Sequence, residues 1–257
     1  MSDYVDFCVG VRALADIDLL KYRRAQMERR VRSFGVRRGY DDLGLYLAAL
    51  RGDAHALDEF LDRVTINVSN LWRNPEQWEL LQQTIVPDLA ADGRLRAWSA
   101  GCSYGAEVYT VAAICRLAAP DATTTILGTD IDRRAIGRAR RGEFTPEDAR
   151  HAPPAQLARF FELAGRHWRP TAELRAMAAF EVGDLLRLRP PQAAYDLVLC
   201  RNTVIYFTDE VRDALHARLA SALRPGGVLV VGATESVTAP EAICLRATAP
   251  FTYAKEA

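Results

Sequence analysis

Four short stretches of the 257-residue chain combine residue types at spacings that can do chemistry. Residues 94–107, RLRAWSAGCSYGAE, read as an apolar strand, a tight turn at Gly101 and Gly105, and a helix start. In open α/β sheets such a turn holds a nucleotide-like cofactor against a helix N-terminus. The spacing is GxxxG rather than GxGxxG, so it is not the dinucleotide fingerprint; a purely structural turn is the other reading. Residues 125–132, TILGTDID, put Asp130 just past a second strand, where a carboxylate can accept both ribose hydroxyls of a nucleoside. Asp132 reads as the N-cap of the next helix. Residues 196–210, DLVLCRNTVIYFTDE, end the fourth strand in Cys200-Arg201-Asn202, with Asn202 and Tyr206 in reach of the same crevice. Tyr206 and Phe207 have a second reading, as cover for the sheet. Three polar strand ends in compatible positions favour S-adenosylmethionine over a nicotinamide cofactor.

A fourth stretch precedes the sheet. INVSNLWRNPEQW, residues 66–78, interleaves Asn67, Ser69, Asn70 and Arg73 with apolar Val68, Leu71 and Trp72. Arg73 offers a guanidinium fork for a carboxylate. The last feature is a run of charge: Lys21–Arg38 holds eight basic residues against Glu28 alone, a net +7 in a chain whose 33 basic and 33 acidic residues cancel. Two readings stand, a solvated helix face or a docking face for an acidic partner. No aromatics interleave on that face, which disfavours single-stranded nucleic acid. The four histidines have no metal-ligand spacing, and GxSxG, HExxH and GxxxxGK[ST] are absent.

The elements that must position these residues follow from periodicity. Helical spacing predicts Val5–Leu14, Leu19–Phe34, Leu43–Leu50, Ala54–Val64 and Glu76–Leu89, with Asp53 capping the fourth and Pro87 kinking or shortening the fifth. From Arg94 strands alternate with helices: strands at Leu95–Ser99, Thr125–Thr129, Ala179–Val182, Tyr195–Cys200, Val228–Gly232 and Phe251–Ala254, helices at Ala106–Leu117, Arg133–Arg141 and Asp209–Leu223. That rhythm implies a mostly parallel sheet. Residues 160–182 interrupt it as a short hairpin or small insertion. The boundary between helical and α/β parts falls at about residue 90.

Composition sets the class. At 49% hydrophobic and 26% charged the chain is an ordinary globular protein rather than a disordered one. Of the 33 basic residues 31 are arginine, a skew that fits GC-rich codon usage. No apolar run nears the roughly 18 residues of a membrane span. The acidic N-terminus is unlike a secretion signal. Five cysteines without CxxC spacing fit reduced thiols in a cytosol, neither a disulfide framework nor a zinc site.

Taken together the motifs resemble the chemotaxis-receptor glutamate methyltransferases, the CheR family, over nearly the whole chain. The family's cofactor loop WSAGCSTGEEPY compares with residues 98–109, its TDID with 129–132, its CRNVxIYF with 200–207, and its LRPGGxLxxGxTES with 223–236. INVSNLWRNPEQW also resembles the family's segment before the first strand. The resemblance implies an α/β, Rossmann-like class I methyltransferase domain at 91–257, with a small β insertion, behind an all-helical N-terminal domain at 1–90 that docks the receptor. It implies S-adenosylmethionine as cofactor, with S-adenosylhomocysteine as product and no metal. Cofactor contacts are implied at Asn67, Ser69, Arg73, Gly101, Glu107, Asp130, Asp184, Leu185, Arg201 and Asn202, with Arg73 and Tyr206 catalytic. The implied partner is an acidic helical region of a membrane receptor's cytoplasmic domain, met through Arg23, Arg24, Arg29, Arg30 and Arg32. The protein is then a cytoplasmic, bacterial monomer that takes neither nucleic acid nor membrane. The loop departs from the family at Tyr104, Ala106 and Val108, and Asp184 stands where the family has asparagine. These departures keep two other classes open: a cofactor-binding regulator without turnover, and a methyltransferase for another acceptor.

Overall fold

The computed structural model describes residues 3–64 and 69–256. The chain divides into two compact units. The smaller comprises residues 1–67 together with Ile205–Arg212, the larger 68–204 and 213–257. The expected boundary near residue 90 thus differs from the division in space: the helical stretch opening at Pro75 belongs to the larger unit.

The smaller unit is built on helices α1 (Asp3–Ala15), α2 (Arg24–Arg37), α3 (Leu43–Gly52) and α4 (Ala54–Val64). Its core is aromatic: Phe7 stacks on Tyr46 with centroids 5.7 Å apart, and Phe60 meets Phe7 edge-on at 5.6 Å. Gly10 lets α1 approach α3, since a Cβ there would lie 2.2 Å from a Leu47 methyl. Asp42 caps α3 through the Leu45 N–H, and Asp53 caps α4 through those of His55 and Ala56. The helix expected over Leu19–Phe34 is broken. Leu19–Lys21 form a 3-10 turn and α2 starts at Arg24. The cause is non-local: Tyr22 bridges Phe207 in antiparallel fashion, the Arg23 N–H donates to the Tyr206 carbonyl (2.8 Å), and the Thr208 N–H donates to that of Lys21 (3.0 Å).

In the larger unit α5 (Pro75–Leu80) passes through a π turn (Leu81–Ile85) into α6 (Val86–Leu89). Pro87 lacks an N–H, and the widened turn ahead of it takes up the lost helical bond without ending the helix. Then follow β1 (Arg94–Ala100), α7 (Ala106–Ala118), β2 (Thr123–Asp130), α8 (Arg133–Arg141), α9 (Pro154–Phe160), β3 (Phe161–Ala164), β4 (His167–Pro170), α10 (Ala172–Met177), β5 (Ala178–Val182), β6 (Tyr195–Cys200), α11 (Asp209–Ala222, which belongs to this unit from Asp213 on), β7 (Leu223–Val231), β8 (Leu245–Ala249) and β9 (Thr252–Lys255). The main sheet runs β5-β2-β1-β6-β7-β9-β8, parallel up to β7 and antiparallel at β9 and β8. This is the expected α/β fold with its parallel sheet. β3 and β4 form the inserted hairpin, whereas β5, which the expected 160–182 insertion takes in, belongs to the main sheet. Apolar runs such as Leu197–Cys200 are buried throughout, as a strand covered by helices on both faces requires.

The strand order decides where a ligand can lie. From β1 the chain winds outward through β2 to β5, then returns to the other side of β1 as β6. The crevice beyond the carboxyl ends of β1 and β6 is this sheet's topological switch point. Among the described residues no helix is long and apolar enough to cross a membrane.

Candidate active site

The turn after β1 is forced by its backbone. Gly101 and Gly105 both have φ +86°, and a Cβ on Gly101 would lie 2.5 Å from Thr203 Oγ1 in the loop after β6. Ser103, Trp72, Asn74 and Asn202 are non-glycine residues with φ between +50° and +59°. Such backbones cost energy that the surrounding structure must offset, and they collect at functional sites. These four lie in three of the four stretches that the sequence motifs single out; Asp16, Ala193, Ala239, Cys244 and Phe251 share such backbones elsewhere.

Asp130 ends β2, buried at 9% exposure. Its Oδ2 accepts the Ser103 N–H of the glycine turn at 2.8 Å and its Oδ1 that of Asp132 at 3.0 Å. Burial pushes its carboxyl up, against the downward pull of these N–H groups. The carboxylate retains acceptor capacity beyond these bonds, so the ion can still accept ribose hydroxyls. Asp132 caps α8 through the N–H groups of Arg134 and Ala135. The Gly183 N–H donates to the Asp130 carbonyl (2.8 Å), which brings the loop of Asp184 and Leu185 beside it. Asp184 Oδ1 accepts the Leu186 N–H, Oδ2 pairs with Arg187 at 3.3 Å, and Leu185 is buried.

Glu107, in the first turn of α7, is held at both oxygens. Ser99 Oγ donates to Oε1 (2.8 Å) and Arg201 Nη1 to Oε2 (3.1 Å). The Arg201 guanidinium is spent inside the protein. It also donates to Gln77 Oε1 from Nε and Nη2 (2.9 and 2.7 Å) and to the Arg73 carbonyl (2.8 Å), and it lies 4.4 Å from the Trp78 ring centroid. Burial lowers its affinity for a proton, with Glu107 working the other way. A cofactor contact at Arg201 is therefore left to its backbone. Gln77 Nε2 donates to the Val231 carbonyl, tying the segment of Arg73 to the end of β7.

Ser69 and Arg73 lie on the segment before α5, itself tied down by bonds from the Leu71 N–H to the Asp148 carbonyl and from the Trp72 N–H to Thr110 Oγ1. Asn202 follows β6. Its N–H and those of Val204 and Gly232 all donate to the buried Glu235 carboxylate, at 2.8, 3.1 and 2.7 Å. Sequence reasoning passed over Glu235 and Gln77. The legible signals were an acid beside apolar strand ends and an amide next to Trp78 on a buried helix face.

Of the expected residues, the larger unit gathers Gly101, Glu107, Asp130, Asp184, Leu185, Arg201 and Asn202 at the carboxyl ends of β1, β2, β5 and β6, with Arg73 bound to Arg201. Tyr206 belongs to the smaller unit, where the Arg30 guanidinium lies 5.9 Å from its ring centroid. Asn67 lies outside the described residues. Chemically, a positive-φ glycine turn, a buried acid past the second strand and polar groups past β6 fit a nucleoside with a polar tail. Among the described residues no group of three or more His, Cys, Asp or Glu could hold a metal ion.

The basic cluster is less cationic in space than in sequence. Arg23 pairs with Asp209 (3.2 Å), Arg24 with Glu28 (3.0 Å), Arg32 with Asp3 and Glu28 (both 2.8 Å), and Arg38 with Glu59. Arg30 is half-buried and donates to the Val64 carbonyl, whereas Arg29 is exposed.

Residues 67–248 match the family described as CheR methyltransferase, SAM binding domain, and residues 2–65 match CheR methyltransferase, all-alpha domain. A chemotaxis protein methyltransferase of Listeria innocua is 34% identical over 256 residues, 99% of this chain and 97% of that one. Chemotaxis protein methyltransferase 1 of Pseudomonas aeruginosa is 29% identical over 248 residues, 92% and 90% of the two chains. Among solved structures, an S-adenosylmethionine-dependent methyltransferase from Mesorhizobium loti is similar with a TM-score of 0.33 and 24% identity, over 58% of this chain and 54% of that one.

Proposed function

The chain belongs to the CheR methyltransferase family, and on that premise we propose that it methylates glutamate side chains of methyl-accepting chemotaxis receptors, forming glutamate methyl esters. The cofactor is S-adenosylmethionine, which supplies a methyl group on a sulfonium. The observation that carries the reading is the Asp130 carboxylate, buried past β2 and fixed by the glycine turn's own N–H. It is built to take a ribose diol at the switch point of the sheet.

In the transfer a carboxylate oxygen forms a bond to the methyl carbon as the sulfur–carbon bond breaks. The bonding pair stays on sulfur, and S-adenosylhomocysteine and an ester result. A glutamate is already an anion at neutral pH, since its ordinary pKa is about 4.3. No base is needed. The protein must orient the carboxylate in line and strip its water. Arg73 is the group we assign to orientation, and Tyr206, which belongs to the smaller unit, is kept as a separate catalytic candidate. Arg73 should position the carboxylate without neutralising it fully, because a tight pair would stabilise the ground state. Glu107, held by Ser99 and Arg201, is the group we assign to the cationic amino end of the cofactor.

The helical unit is assigned to receptor docking, in the cytoplasm. Exposed Arg29 offers charge directly, whereas Arg23, Arg24 and Arg32 would have to exchange their own acid partners for the receptor's. The experiment is transfer of labelled methyl from S-adenosylmethionine into receptor-bearing membranes. Label should enter the receptor band and disappear when the receptor's acceptor glutamates are changed to alanine. Label in other proteins but none in receptors would point to another acceptor.

A further inference from the structure

Tyr104 stands in the cofactor turn between Ser103, which bonds Asp130, and Gly105, which opens α7. Its side chain reaches out of the turn. The phenol meets the Ser69 carbonyl and lies 3.0 Å from Asp148 Oδ1. One proton serves two acceptors, so the contact is three-centred. Over the ring, 3.9 Å from its centroid, sits the Arg138 guanidinium of α8, which also pairs with Asp148 Oδ2. Asp148 is fixed further by the Thr145 N–H and hydroxyl at 2.6 and 2.8 Å, and its carbonyl takes the Leu71 N–H at 2.9 Å. Tyr104 is 5% exposed, and burial together with the Asp148 charge pushes the phenol's pKa up, so it stays a donor. Three segments therefore meet at this one side chain: the turn at 101–105, the segment 69–73, and the loop 143–148 after α8. A shorter hydroxyl residue, such as threonine, could not span them.

We propose that Tyr104 is a positioning residue: with Asp148 and Arg138 it locks the segment of Ser69 and Arg73 to the glycine turn, fixing the distance between the groups that grip the two ends of the nucleoside-sulfonium cofactor. The inference rests on the cofactor reading above. Without the lock, the segment is still held through the bonds at Leu71, Trp72 and Arg73, but the ordering of its Ser69 end at the moment of binding is charged against affinity. Once cofactor is bound the segment is ordered anyway, so turnover at saturation is little changed. The lock thus acts on affinity and KM for the cofactor rather than on kcat.

The test is Tyr104→Phe in the full chain. Phenylalanine keeps the ring under Arg138 and removes both oxygen contacts. Titration with S-adenosylhomocysteine should show affinity weakened five- to tenfold, with KM for S-adenosylmethionine raised by a similar factor and kcat within twofold. Hydrogen exchange at the Leu71 and Trp72 amides should quicken in the free protein and return toward wild type with S-adenosylhomocysteine bound. Asp148→Asn, which keeps one acceptor and loses the charge, should move the same quantities the same way. The double variant should be no worse than the more affected single one. If Tyr104→Phe does not fold, Asp148→Asn decides by the same readouts. Wild-type affinity in a folded variant, or a loss of active fraction with unchanged affinity and KM, overturns the lock. Asp130→Ala separates the two levels. If it leaves S-adenosylhomocysteine affinity unchanged, the cofactor reading fails, and the lock with it. If it weakens binding while Tyr104→Phe does not, the lock alone fails.

Discussion

Glu107 Oε2 and Arg201 Nη1 stand 3.1 Å apart, with side-chain exposures of 11% and 2%. This ion pair ties the first turn of α7 to the loop after β6, and through the Arg73 carbonyl to the segment before α5. Two strand ends and the segment of Arg73 are thus fixed on one guanidinium.

Arg201→Met should therefore act on stability. Removing one partner leaves a buried charge, and such losses are about 3–5 kcal/mol. All four tryptophans lie in the larger unit, so urea unfolding followed by their fluorescence reports that unit alone. Glu107→Gln combined with Arg201→Met should cost less than the two single changes together, since neither charge is then left alone. A loss under 1 kcal/mol for Arg201→Met would contradict the role of the pair.

Gly101→Ala tests the turn. The new methyl meets Thr203 Oγ1 at 2.5 Å, and the residue must hold φ +86°. Affinity for S-adenosylhomocysteine should fall at least tenfold. Thr203→Ala in the same chain should restore part of it by removing the collision. The left-handed backbone would still cost about 1–2 kcal/mol. Calorimetric titration of both variants checks the split.

The Arg32 pairs make the helical unit sensitive to acid. Hydrogen bonds from Arg32 hold the carboxyls of Asp3 and Glu28 below their ordinary 3.8 and 4.5. A depressed carboxyl contributes stability above its unfolded pKa, and that contribution is lost as pH falls through the lower folded value. Protection of the α1 and α2 amides, as exchange corrected for the intrinsic rate at each pH, should be constant down to about pH 5 and fall below about pH 4. Asp3 is exposed and Glu28 half-buried, so added salt should shrink the effect, most for Asp3. Arg32→Glu should speed exchange already at neutral pH.

Arg29 and Arg32 also separate docking from folding. Arg29→Glu should leave S-adenosylhomocysteine affinity unchanged and lower receptor methylation, most strongly at low salt, because exposed charges are screened over about 8 Å at physiological ionic strength. Methylation kinetics across a salt series check this. Equal rates at low salt would identify α2 as a solvated face.

Apolar runs and strand-end polars made the site legible in the sequence. β6 carries the apolar run Leu197–Cys200, and β1 and β2 carry shorter apolar stretches around Trp98 and Leu127; these lead to Asn202, Gly101 and Asp130, the pattern of buried parallel strands. What stayed hidden depends on distant partners. Leu19–Phe34 has one helical periodicity, and only pairing of Tyr22 with Phe207, 185 positions on, breaks it. β8, Leu245–Ala249, is an edge strand with mostly exposed side chains and hence no alternation to read. Arg201 is expected as a ligand through the family resemblance; that its fork is filled by Gln77 and Glu107 follows only from the fold. The +7 of the basic run could not anticipate Asp3, Glu59 and Asp209 arriving from other elements.

The central claim is the ester, and its chemistry offers the most direct measurement. Receptor-bearing membranes labelled by this protein from methyl-labelled S-adenosylmethionine are treated with alkali, and volatile radioactivity is collected. Glutamate methyl esters hydrolyse at high pH, so the label should leave the receptor as methanol. Label that survives alkali would mean methylation of an amine or guanidine and would contradict the account.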